Sequence, residues 1–145
     1  MNVIELPRTI TSLLYVSRSR LQPEQMPQVD GIVELARQRN ARLGVTGALI
    51  FTEIHFAQVL EGLKPAVDEL MRSIAADKRH GDLTVVETIT VPEPRFPDWA
   101  MAYRGPSFYV DRHVKPLLAA PADMSQRTRS IAELLSILQE LSRQS

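Results

Sequence analysis

The chain has 145 residues, with 17 basic and 17 acidic side chains, so it carries no formal net charge at neutral pH. That length suits one domain, and the balanced charge gives no sign of a nucleic-acid groove or a membrane surface. The chain contains no cysteine, which excludes disulfides, thiolate metal sites and a cysteine nucleophile. No secretory leader or membrane-length apolar run is evident, so we expect a soluble cytoplasmic protein.

The first half of the chain predicts a strand, a helix and a strand hairpin. Segment 11–19, TSLLYVSRS, is rich in apolar residues, and the prolines after it are expected to end the strand. Apolar residues recur at helical spacing over 29–39, which predicts an amphipathic helix. After the turn NARLGVTG, the run GALIFTEIHFAQVLEG predicts two short strands that are joined near 52–55.

The second half predicts a helix, two strands and a helical C-terminus. Pro65 suits the first turn of a helix whose apolar stripe runs to Ile74, and the run ADKRHGD is expected to end it. LTVVETITV predicts a strand, and a last strand is expected at 99–103. A short helix around 113–118 and a longer one over 127–142 complete the order.

These elements predict an α+β, ferredoxin-like βαββαββ fold with a five-stranded mixed sheet. Two helices are expected on one face of the sheet and the C-terminal helices on the other. For the last helix we consider two compatible roles, a lid over the sheet and an element for coupling or oligomerisation.

Gln58 is the most unusual residue of the predicted hairpin. Strand alternation places it on the same face as Phe56 and Leu60. A side-chain amide buried there without partners costs about 1–3 kcal/mol, so it must meet another side chain, the backbone, water or a ligand. A glutamine at a wet sheet edge is the alternative.

Few familiar catalytic patterns occur. The three histidines lack ligand spacing, so no metal site is expected, and neither a phosphate-binding glycine loop nor a nucleophile elbow is present. The remaining polar and aromatic residues at element ends would suit a planar ring that needs hydrogen bonds around its rim better than they would suit hydrolysis. They are Tyr15, Ser17, Asn40, Gln58, the run DKRH, Trp99 and Met101.

Five segments together resemble the BLUF family of blue-light sensors that use FAD. In chain order they are LLYVSRS, RNARLGVTGALIF, FAQVLEG, DKRH and RFPDWAM, and the pairing of QVLEG with FPDWxM is specific. The resemblance implies an FAD-binding sensor that is not an enzyme. It also implies a flavin-binding core over 11–104, with an N-terminal extension at 1–10 and a C-terminal helical extension at 105–145.

The resemblance further implies a photoactive pair, Tyr15 and Gln58. Light-driven transfer of an electron and a proton from Tyr15 to FAD would rearrange the Gln58 hydrogen bonds. The signal would pass through Trp99, Met101 and the C-terminal helices to a separate partner protein, and a homodimer or higher homo-oligomer is expected. Neither nucleic acid nor membrane is expected as a partner. The other cofactor-binding residues carried over are Ser17, Ile32, Asn40, Ile74, Asp77, Arg79 and His80.

Three positions depart from the family pattern. Arg39 stands where many members have asparagine or histidine, Ser73 where some have arginine, and Ala57 where a bulkier residue is common. Structural explanations also exist: core packing for Ile32, Ile74 and Trp99, and a plain helix end for DKRH. Two other functions suit this fold, a flavin-free ligand-binding regulatory module and a small phosphatase.

Overall fold

Five strands and four α-helices follow one another in the computed structural model, which describes residues 9–118 and 123–144. The predicted βαββαββ order is confirmed, and two further helices follow it. The elements are β1 (Ile10–Ser19), a short 3-10 helix (Pro23–Gln28), α1 (Val29–Leu43), β2 (Thr46–Phe51), β3 (His55–Gly62), α2 (Lys64–Ala75), β4 (His80–Val91), β5 (Trp99–Arg104), α3 (Phe108–Leu118) and α4 (Met124–Gln144).

The sheet has the strand order β4-β1-β3-β2-β5. β1 runs antiparallel to β3 and β4, β2 and β3 form an antiparallel hairpin, and β5 lies parallel to β2. Residues in register share a sheet face. Because Tyr15 pairs with Gln58, Gln58 with Leu49 and Leu49 with Met101, these four side chains form one row across the sheet.

Each sheet face has its own apolar core. On the face of Gln58, sheet residues such as Tyr15 and Leu60 pack against Val67 and Ile74 of α2 and against Val29 of α1. The opposite face is covered by α3 and α4, as predicted. Its central residues are Leu14, Val16, Ala57, Val59, Val114, Leu134 and Leu138. Burial of each valine, leucine or isoleucine side chain contributes about 1.5–3 kcal/mol, so both helical layers stabilise the sheet.

Helix α1 extends four residues beyond its predicted end, so Asn40 lies in its last turn and not after it. Gly44 ends the helix in the left-handed conformation, with φ of 69°. A C-terminal glycine cap of this kind closes the last turn at low conformational cost. The turn tendency of Asn40 is therefore overridden by a cap four residues later.

Helix α2 ends at Ala75, directly before the run ADKRHGD that was expected to end it. The carboxylate of Asp77 accepts the backbone N–H of Arg79 at 2.9 Å, which makes a tight local turn. His80 is already the first residue of β4. The predicted end of the helix is confirmed, although the basic residues of this run follow the helix and do not form its last turn.

The remaining differences lie at element ends. A 3-10 helix, which was not predicted, occupies the proline-containing segment after β1, and α3 begins at Phe108, five residues before the predicted position. Residues 1–8 of the expected N-terminal extension, and 119–122 and 145 of the expected C-terminal extension, lie outside the described residues.

Candidate ligand-binding site

A cavity of about 350 Å³ lies between the sheet and helices α1 and α2. Ile32 of α1 and Ile74 of α2 contribute apolar walls, and Leu49 and Phe56 line the sheet side. Charged side chains, Arg39, Asp77 and Arg79 among them, also line it. Apolar walls with a few placed polar groups are typical of sites for small molecules and cofactors.

Gln58 is buried at the floor of this cavity and is bonded at both ends of its amide. Its Nε2 donates to Tyr15 Oη at 2.5 Å, and its Oε1 accepts from Trp99 Nε1 at 2.8 Å. The exposed fractions are 1% for Tyr15, 5% for Gln58 and 6% for Trp99. The amide therefore has the partners that its burial requires, and one proton of Nε2 is left for a further bond.

Asn40 gives Trp99 a second acceptor. With the Asn40 amide turned so that both ends are satisfied, its nitrogen donates to the Ala36 carbonyl at 3.2 Å and its oxygen lies 3.0 Å from Trp99 Nε1. The single indole N–H therefore lies between two amide oxygens, those of Gln58 and Asn40. Asn40 itself is fully buried behind the cavity wall and does not line it.

Burial raises the pKa of Tyr15 above its ordinary value, more than the Gln58 hydrogen bond and the Arg39 charge lower it. The phenol is therefore protonated at neutral pH. Because its oxygen already accepts from Gln58, its own O–H is free to donate.

His80 closes the cavity beside Tyr15. Its Nδ1 forms a 2.7 Å hydrogen bond with Ser17 Oγ, and its ring lies 4.6 Å from that of Phe56. Burial lowers the pKa of His80, so the imidazole is neutral at neutral pH. Ser17 is fully buried behind His80, one layer away from the cavity surface.

Asp77 and Arg79 form an ion pair at the edge of the cavity. Arg79 Nε lies 2.8 Å from Asp77 Oδ1, and a second bond joins its terminal nitrogen to Oδ2. Hydrogen bonding from Arg79 lowers the pKa of Asp77, and the same contact raises that of Arg79. The two charges therefore largely cancel at this point of the rim.

Glu61 has a structural role that the sequence analysis did not identify. It is fully buried on the sheet face opposite Gln58, and it accepts from Arg95 N at 2.6 Å, Phe96 N at 3.1 Å and Arg95 Nε at 3.0 Å. These bonds fix the segment that leads into Trp99. Strand alternation places Glu61 beside Val59 on an apolar face, and a buried carboxylate there demands partners.

A second buried network joins the β2–β3 hairpin to α3. Asp111 Oδ1 accepts from Thr52 Oγ1 at 2.6 Å and lies 2.8 Å from His55 Nδ1. The sequence analysis weighed His55 only as a metal ligand. In the described part of the chain, no three His, Cys, Asp or Glu side chains group as a metal site.

The family model described as BLUF, sensors of blue-light using FAD, matches residues 10–102. The chain belongs to the BLUF family. The predicted family, the ferredoxin-like fold and FAD as the family's cofactor are thereby confirmed.

Two curated proteins are similar to this chain over fewer than 100 residues each. The photoactivated adenylate cyclase subunit beta of Euglena longa is 34% identical over 94 residues, which cover 64% of this chain and 11% of the relative. The blue light- and temperature-regulated antirepressor BluF of Escherichia coli is 34% identical over 87 residues, 60% of this chain and 21% of the relative. The chain thus spans only a small part of the curated relatives it matches.

The dark-state structure of the BLUF protein BlrB has the same fold. It superposes with a TM-score of 0.63 at 33% identity, and the match covers 89% of this chain and 99% of BlrB. In the part of our chain that the structure describes, no helix has the length and apolarity to span a membrane.

The residues of the cavity fit a flavin. Ile32 and Ile74 offer apolar surfaces from two helices, and the amide of Gln58 has an unused proton on the cavity floor. Arg39 Nε is buried without a hydrogen-bond partner among the described residues. A flavin ring presents apolar faces and a rim of acceptors, which matches these features.

Proposed function

We propose that this chain is a blue-light receptor whose switch is the hydrogen-bonded series Tyr15–Gln58–Trp99. The observation that supports this most directly is the double anchoring of Gln58. Its nitrogen faces Tyr15 at 2.5 Å and its oxygen faces Trp99 at 2.8 Å. An amide in that position can exchange its two ends by half a turn, because donor and acceptor lie on one plane.

Ile32 and Ile74 would hold the ring of FAD from its two sides, while Gln58 and Arg39 would contact its rim. Asp77, Arg79 and His80 also line the cavity and would contact the ribose and phosphate end. Ser17 and Asn40 would act from behind the wall, Ser17 by orienting His80 and Asn40 by orienting Trp99. When bound, FAD supplies blue-light absorption and an acceptor for one electron and one proton.

Tyr15 is the donor in this scheme. Its phenol is protonated at neutral pH because burial raises its pKa, and its O–H is not used by Gln58. Loss of an electron and the phenolic proton removes the charge distribution that holds Gln58 Nε2 against Tyr15 Oη. The amide can then turn before the electron and the proton return to Tyr15.

Tyr15 and Trp99 would each keep a hydrogen-bond partner in both orientations of Gln58, which would make the element bistable. After the turn, the Tyr15 hydroxyl donates to Oε1, since a hydroxyl can accept or donate. Nε2 then faces the indole N–H of Trp99, and two donors repel each other. Trp99 keeps one acceptor, the Asn40 oxygen at 3.0 Å.

The change at Trp99 would reach the C-terminal helices through β5. Trp99 begins this edge strand, half-buried Met101 follows, and α4 packs against β5, β2 and β3. We infer a sensing core over 11–104 and an output element over 105–145. The chain itself would not be an enzyme, and its signal would go to a separate partner or to a second copy of the chain.

Illumination of the purified protein tests this function. A yellow sample whose main absorption band shifts reversibly to longer wavelength under blue light is expected. A protein that binds FAD but shows only bleaching, or one that binds no flavin, would contradict it.

A further inference from the structure

Arg39 brings a cation to the wall of the proposed flavin cavity, close to Tyr15. It lies directly before Asn40 in α1, is only partly exposed, and lines the cavity. Its Nε is buried and has no hydrogen-bond partner among the described residues. A buried donor on a charged group is costly to leave unpaired, so an occupant of the cavity is expected to accept this bond.

Other charges at the cavity are compensated or solvated. Asp77 and Arg79 neutralise each other through three side-chain hydrogen bonds, and His80 is neutral. Arg42 also lines the cavity but is exposed, so water screens its charge. Among the described residues that line the cavity, Arg39 is therefore the one charged side chain that is partly buried and has no ion-pair partner.

We propose that Arg39 makes this site favour the negatively charged reduced form of the flavin ring over the neutral oxidised form. This rests on the proposed function, because it requires flavin in this cavity. An arginine stays charged at every relevant pH, whereas asparagine in the same place would contribute only a dipole. Arg39 would then stabilise the negative charge that reaches the ring when Tyr15 gives up its electron.

Dark binding measurements on the apoprotein test this without any photochemistry. Riboflavin carries the ring of FAD and serves as the probe, oxidised in one titration and reduced beforehand with dithionite under argon in the other. At mildly alkaline pH the reduced ring is an anion. The measured quantity is the ratio of the two dissociation constants.

Arg39→Gln is expected to weaken binding of reduced riboflavin about tenfold relative to the oxidised form, since charge-assisted hydrogen bonds are about twice as strong as neutral ones. Because full reduction of the flavin ring takes two electrons, a tenfold change in this ratio corresponds to a shift of about 30 mV in the reduction potential of the bound ring. Arg39→Lys, which keeps the charge, should retain most of the preference. Arg72→Gln removes an exposed arginine of α2 that does not line the cavity, and it should leave the ratio unchanged.

An unchanged ratio in Arg39→Gln would overturn the proposal, and so would an equal loss in Arg39→Lys or Arg72→Gln. If Arg39→Gln does not fold, Arg39→Asn is titrated in its place, because many BLUF proteins carry asparagine at this position. A wild-type chain that binds neither form of riboflavin would instead contradict the proposed function.

Discussion

At the scale of single residues, the site depends on side chains that can both donate and accept. Gln58 has both capacities on one plane, and Tyr15 has both on one oxygen. Trp99 has only a donor, and two acceptors lie within 3.0 Å of it. If Gln58 turned, the Trp99 N–H would be left with Asn40 as its acceptor. Tyr15 would instead keep its bond to Gln58 by turning its hydroxyl.

Replacement of Tyr15 by phenylalanine should leave flavin binding intact and abolish the long-lived red shift. The ring and its burial are kept, but the hydroxyl of the proposed electron and proton donor is lost. Light-minus-dark absorption spectra of the purified variant check this. A normal photocycle in Tyr15→Phe would show that the donor lies elsewhere.

Replacement of Gln58 by leucine should give a yellow protein without the spectral switch. Leucine keeps the approximate size of the side chain but has no amide to turn, and it leaves the Trp99 N–H with Asn40 alone. The same spectra report the result, with Gln38→Leu as the control because Gln38 is exposed on α1. A shift of wild-type size in Gln58→Leu would remove this residue from the mechanism.

At the scale of elements, short polar contacts decide where strands and helices begin. Asp77 closes the turn between α2 and β4, and it brings His80 against Ser17. Thr52, His55 and Asp111 join the hairpin that carries Gln58 to α3 on the opposite face. The sheet is thus tied to one helical layer by the Asp77 turn and to the other by Asp111.

Replacement of Asp77 by asparagine should lower the free energy of unfolding at neutral pH, and the loss should disappear in acid. Arg79 lowers the pKa of Asp77 below its ordinary value of 3.8, so the carboxylate stabilises the fold above that pH. The stabilisation is lost as the pH falls through the folded-state pKa. Urea unfolding of the apoproteins at several pH values measures it.

Asp68→Asn is the matched control for this turn. Asp68 pairs with Lys64 at 2.7 Å on the exposed side of α2, where such pairs contribute little. A difference between wild type and Asp77→Asn that stays constant from neutral pH to strong acid would show that the Asp77 charge is not the cause.

Strand alternation was enough to single out Gln58, and helical periodicity placed Ile32 and Ile74 on apolar faces. The same methods placed Asn40 in a turn, because the cap at Gly44 outweighs a local preference. The partner of His55 could not be predicted, since Asp111 lies 56 residues away and only the packing of α3 brings the two together. Such long-range pairs leave no periodic signal.

At the scale of the whole molecule, the sheet lies between a layer that holds the cavity and a layer that can carry the output. Tyr15, Gln58 and Leu49 face the first layer, while Val59 and Ala57 of the same hairpin strand face α3 and α4. Leu134 and Leu138 of α4 are fully buried there. A displacement of β5 therefore acts directly on a packed core, which transmits small shifts because it has little free volume.

Replacement of Trp99 by phenylalanine should separate light detection from its transmission. The variant keeps an aromatic ring but loses the N–H that bonds Gln58 Oε1, so Gln58 can still turn without forcing Trp99 to change its acceptor. We expect the red shift to persist with altered size or lifetime. Light-induced changes in backbone hydrogen exchange of α4, expected in the wild type, should be largely lost.

Tyr103→Phe supplies the matched control on the same strand. It also removes one hydrogen bond of a β5 aromatic residue, the 2.8 Å bond from Tyr103 Oη to the Pro106 carbonyl, but that bond does not involve Gln58. This variant should keep both the red shift and the light-dependent exchange of α4. If Trp99→Phe retains wild-type exchange changes in α4 under blue light, the signal leaves the cavity by a route other than Trp99. The next contact to disrupt by mutation would then be the one between His55 and Asp111. It joins β3, the strand of Gln58, to α3 on the opposite face of the sheet.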